Sequence, residues 1–143
     1  MIQRIQTLWL FFAALAVSAL YTLPVYQAFF NNGTAQFVLV RESYMLFIVS
    51  AFCVVFPLIA IFSFKNRGRQ KWLVFLSILL NLAFIALIYT EVGKFTDQNP
   101  EMFQRGVYKP GAVLPIISII FLIMAYFGIL RDQDLIKKAD RLR

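Results

Sequence analysis

Four apolar stretches, each free of Asp, Glu, Lys and Arg, limit what this chain can fold into more than any other feature. They cover residues 5–26, 44–64, 72–89 and 112–130, between 18 and 22 residues apiece. A helix rises about 1.5 Å per residue, so each stretch can cross a hydrocarbon layer of about 30 Å. The expected fold is an all-α membrane protein, a four-transmembrane-helix bundle. With 143 residues, 61% of them hydrophobic, the chain has no material for a separate soluble domain. A single integral membrane domain, residues 1–143, is the only reasonable division.

The charges between the stretches are unequal. Arg4, the connection at 65–71 and the tail at 131–143 would share one side of a four-span protein. That side holds ten basic residues and three acidic ones. The opposite side holds Arg41, Lys94, Arg105 and Lys109 against Glu42, Glu91, Asp97 and Glu101. Lys and Arg close to span ends are retained in the cytoplasm, so both termini are expected to be cytoplasmic. The first stretch has a short basic front, and Ala16-Val17-Ser18 resembles a small-residue cleavage site. The apolar run continues to Val25, longer than a signal core, so a retained first span is expected.

The connection at 27–43 carries the one strand signal. Apolar runs at 28–30 and 36–40 flank Asn31-Asn32-Gly33. Asn-Gly suits a turn needing positive φ, which predicts a small β-hairpin cap on the non-cytoplasmic side. Part of 103–109 can add a strand, because an isolated hairpin is marginal in water. Pro24 is expected to end the first helix and Ser43 to cap the second. Pro57, well inside the second, should kink it as a hinge or a fixed bend. Pro115 falls in the first turn of the fourth, where proline is tolerated. The tail has no helix breaker and a favourable Asp134–Lys138 spacing, so it extends the fourth helix or lies on the membrane surface.

Three segments carry a resemblance: the start Met-Ile-Gln-Arg-Ile-Gln-Thr-Leu-Trp-Leu, the loop Phe64-Lys65-Asn66-Arg67-Gly68-Arg69-Gln70 and the end Asp140-Arg141-Leu142-Arg143. In these the chain resembles, over its full length, a domain-of-unknown-function family of short four-span inner-membrane proteins from Bacteroidota. It differs at Asp132-Gln133-Asp134, where members often have Asp-Glu, and at Gly68, where they carry a basic residue. The resemblance implies a bacterial inner-membrane location and carries over no catalytic or binding residue.

Chemistry has little to work with. The chain has no histidine, and its single cysteine, Cys53, lies inside the second span, so no catalytic, metal or cofactor site is expected. No span contains a carboxylate or a base, which argues against proton relays and ion pumps. Ser18, Ser50, Ser63, Ser77 and Ser118 lack a partner base, and a helical hydroxyl ordinarily bonds its own backbone. Asn81 is the most polar residue at membrane depth. An unpartnered amide is costly there, so an interhelical polar contact is expected of it, contributing about 0.6–2 kcal/mol. Contact with a bound lipid, quinone or partner helix is the alternative. The cytoplasmic basic face comprises Lys65, Arg67, Arg69, Lys71, Lys137, Lys138, Arg141 and Arg143. Topology and lipid headgroups account for it, and an acidic cytoplasmic partner could dock there. DNA binding is not expected, because the charge flanks spans instead of lining a soluble face.

The function expected from these residues is that of a non-enzymatic accessory or structural subunit of a larger inner-membrane complex. Protein secretion or export machinery is one candidate host. Its partners would be membrane lipids and one or more integral membrane proteins. The competing reading is a lipid- or quinone-binding protein or a small transporter.

Overall fold

A computed structural model describes residues 2–31, 33–97 and 103–141. The chain is mostly helical, with four helices and a small antiparallel sheet. In chain order these are α1 (Ile2–Ser18), β1 (Tyr26–Phe30), β2 (Ala35–Val38), α2 (Tyr44–Phe62), α3 (Arg67–Asp97), β3 (Phe103–Tyr108) and α4 (Leu114–Arg141). Helix α1 packs on α2 and α4, and α3 packs on the same two.

The buried positions follow one rule. They are Gln6, Leu10, Ala13, Val17 and Leu20 in the first helical segment, widened there by Ala14 and Ala16, and Leu46, Ser50, Cys53, Pro57 and Ala60 in α2. In α3 they are Gln70, Val74, Ser77, Asn81, Phe84, Ile88 and Val92. In α4 they include Ser118, Leu122, Ala125, Ile129 and Asp132. Steps of three and four alternate along nearly every row, the spacing that keeps one narrow seam facing neighbouring helices. Much of each seam is small or polar, which lets helices approach closely. The bulk faces outward: Phe11, Phe47, Phe52, Trp72 and Phe127 are all exposed.

The sheet spans one end, in the order β2-β1-β3. The expected hairpin is present, and the third strand comes from the predicted 103–109 segment. Gly33, at φ 76°, occupies the left-handed region, and its N–H donates to Phe30 O at 3.0 Å to close the turn. Strand β1 has a partner on both sides, with Tyr26 opposite Val38 in β2 and Tyr108 in β3. Its Tyr26, Ala28 and Phe30 point into a core cluster with Val17, Leu20, Phe84 and Ile88, so the sheet is welded to the helices. Because the connections α1–α2 and α3–α4 build the sheet, the α2–α3 turn and both outer helix ends lie at the opposite end.

Several boundaries differ from expectation. The first helix does not run to residue 26. It stops at Ser18, tightens into a 3-10 turn at Ala19–Tyr21, and is strand by Tyr26. Pairing dictates this: Val25 N–H donates to Val38 O and its carbonyl accepts from Lys109 N–H, so the chain must be extended immediately after Pro24. Helix α3 outruns residues 72–89 at both ends, so Arg67, Arg69 and Lys71 lie on its first turns, not in a loop. Ser43 sits at the N-cap position of α2 without a capping hydrogen bond, and its hydroxyl donates to Glu91 Oε2 at 3.1 Å instead. The tail continues α4 to Arg141, as one of the two expected arrangements required.

Candidate functional site

The helical interior holds few polar side chains. Ser50, Ser77 and Asn81 are fully buried, as is Ser118. The expected backbone bonding holds for Ser18 to Leu15 O, Ser50 to Phe47 O, Ser63 to Ile59 O and Ser77 to Leu73 O. Ser118 departs from it, since its hydroxyl has no hydrogen-bond partner among the described residues. Ser50 Oγ also lies 3.0 Å from the Tyr21 hydroxyl, tying α2 to the end of the first helical segment. Asn81 faces inward, as an amide in an apolar layer must. Its Nδ2 donates to Ser77 O, one turn back in the same helix, at 2.9 Å, and its Oδ1 has no partner among the described residues. Pro57 is buried in the α2 seam, and the free Cys53 lies one turn before it. No nucleophile–base pair comes together among these groups.

The basic end is built from two elements. Lys65 is exposed in the turn before α3, and Arg67, Arg69 and Lys71 follow on the first turns of that helix. Asn66 fixes this start, its Oδ1 accepting from the Arg69 backbone N–H at 3.2 Å. Lys137, Lys138 and Arg141 belong to the last turns of α4, and Arg143 lies outside the described residues. The two groups thus share one end of the molecule.

A buried polar contact at this end carries no basic residue. Gln6 Nε2 donates to Asp132 Oδ2 at 2.7 Å, joining the start of α1 to the far end of α4. Gln6 is 4% exposed, Asp132 8% and Gln70 of α3 5%. These three occupy seam positions, and each stands at the basic end of its row. Residue type concealed them, because Gln and Asp beside basic residues read as solvated. Their register with Leu10, Ala13 and Val17, and with Leu122, Ala125 and Ile129, was the available signal.

Grooves open at both ends. At the sheet end, one of about 450 Å³ is lined by Val38, Leu39, Glu42, Ser43, Glu91 and Lys94. There Lys94 Nζ and Glu91 Oε1 form an ion pair at 2.8 Å. At the basic end, one of about 570 Å³ runs along Ile59, Leu73 and Leu76, with Arg69 and Trp72 also lining it.

This combination defines a class: a small protein of long apolar helices with a short sheet across one end. Three helical segments, Tyr44–Phe62, Arg67–Asp97 and Pro110–Ile136, are long and apolar enough to cross a membrane, while the apolar part of the first, Ile5–Tyr21, is shorter. They suggest a membrane protein. Within that class the chain belongs to the family described as domain of unknown function DUF4293, which matches residues 2–142. The expected membership of a domain-of-unknown-function family is thereby met. Comparison with curated proteins and with solved structures gave no match.

Proposed function

We propose that this chain is a non-enzymatic accessory subunit of a larger complex in a bacterial inner membrane. In this reading all four helices span as a bundle, both termini and the α2–α3 turn are cytoplasmic, and the sheet faces the other side. The family's expected home in Bacteroidota and a role beside protein secretion or export machinery belong to the same proposal. The charge balance supports the orientation, since the basic residues collect at the end opposite the sheet. The apolar part of the first span, Ile5–Tyr21, is shorter than the other three, and a short span is accommodated by local thinning of the bilayer.

The observation that carries the subunit reading is the inverted distribution of bulk. Small and polar side chains make up much of the seams, beside Leu10, Leu46, Phe84 and Leu122, while most of the large aromatic ones in the helices stand on their outer faces. Lipid accepts such faces, and a neighbouring membrane protein gains large contact area from them. Asn81 and Ser118 are interior groups with hydrogen-bonding capacity left for an interhelical or partner contact. A small transporter or a lipid- or quinone-binding protein is the competing class, and it needs a polar, water-accessible route among the helices.

Purification from the native host in a gentle detergent separates the two. The expected result is co-migration at fixed stoichiometry with a larger integral membrane protein. A homogeneous particle containing this chain and lipid alone contradicts the subunit reading.

A further inference from the structure

Trp72 stands between two grooves at the basic end. The larger, about 570 Å³, has Ile59 of α2 and Gly68, Arg69, Leu73 and Leu76 of α3 along it. The smaller, about 200 Å³, is lined by Lys71 and by Tyr126 of α4. Trp72 and Phe75 line both, their rings edge to face at 5.9 Å, and so form the wall between them. Each groove is therefore lined by one cation together with apolar or aromatic side chains.

We propose that this end of the molecule holds one anionic phospholipid, its phosphate on the Arg69 guanidinium and an acyl chain along Ile59, Leu73 and Leu76. Three features commit the site to that occupant. The first is charge. Arg69 is exposed and makes no ion pair among the described residues, and the chain has no Asp or Glu between Glu42 and Glu91. Lys65, Arg67 and Lys71 likewise form no ion pair among the described residues, and the end as a whole carries ten basic residues against Asp132, Asp134 and Asp140, a balance that favours an anionic headgroup over a zwitterionic one. The second is geometry. Guanidinium binds phosphate through two parallel hydrogen bonds, which lysine does not reproduce. The third is the wall. A soluble anion or an acidic peptide would leave Ile59, Leu73 and Leu76 uncovered, whereas an acyl chain covers them. Trp72, 68% exposed, is suited to the headgroup boundary, where amphipathic rings collect.

The proposal needs the membrane placement and not the subunit role, so its failure leaves the co-purification result untouched. The full chain, delipidated in a non-ionic detergent, is titrated separately with phosphatidylglycerol and phosphatidylcholine, and bound lipid is counted by native mass spectrometry. One phosphatidylglycerol per chain is expected, in preference to phosphatidylcholine. Arg69→Gln should weaken its retention about tenfold, the scale of one charged hydrogen-bonding contact. Leu76→Trp, which fills the groove and leaves the charge, should also lower occupancy. Arg105→Gln, at the sheet end, should not. Equal uptake of the two lipids, or unchanged occupancy in either groove variant, overturns the site.

Discussion

Replacing Gly111 by alanine will destabilise the protein by about 1–3 kcal/mol, the usual cost of forcing an extra carbon into a filled site. The residue lies in the 3-10 turn Pro110–Val113 that leads into α4. A methyl group there would run into the carbonyl of Pro24, with Pro24 C at 2.9 Å and Leu23 O at 3.2 Å. All three atoms are backbone, so no side-chain rotation relieves the overlap. The corner between the first helix and β1 would have to move away from the corner between β3 and α4. Those corners are joined directly, because Lys109 N–H donates to Val25 O at 2.9 Å. Gly93 is the matched control. It lies within α3, and an added carbon there meets nothing within 4 Å. Gly93→Ala should leave stability unchanged or raise it by up to about 1 kcal/mol, since glycine is a poor helix former. Thermal unfolding of both variants in detergent gives the comparison, and equal midpoints would refute the close approach.

The second large effect belongs to the Gln6–Asp132 contact. Gln6→Leu leaves a nearly buried carboxylate without its amide donor, and the expected loss is about 1.5–3 kcal/mol. The double variant Gln6→Leu/Asp132→Leu removes both ends of the contact and should be less damaged than the sum of the single variants. That non-additivity is the signature of a direct pair. Strict additivity would mean that each side chain acts through separate neighbours and that the 2.7 Å contact does not bind α1 to α4.

Helix placement was legible in the amino-acid sequence because lipid-length apolar runs leave few options, and the hairpin because Gly33 marks its turn. The end of the first helix was not legible. Residues 19–26 are less apolar than those before them but equally uncharged, and hydropathy does not distinguish a spanning helix from an apolar strand covered by its neighbours. Only the pairing of Val25 with Val38 and Lys109, distant in sequence, decides it. The Ser43 hydroxyl was lost from the expected cap for a similar reason, since Glu91 competes for it across 48 residues of chain. Among candidate site residues, the burial of Asn81 could be read from its polarity, but its bond to Ser77 O of its own helix could not. The Trp72 grooves could not, because they depend on how Ile59 of α2 and Tyr126 of α4 border α3.

The central claim is that four helices cross the membrane with the sheet on one side and the basic end on the other. Fusing a periplasm-active phosphatase and a cytoplasm-active fluorescent protein after residues 33, 66 and 143 tests it directly. Phosphatase activity at 33, with fluorescence at 66 and 143, is the result predicted. Phosphatase activity at 66, or fluorescence at 33, would contradict it.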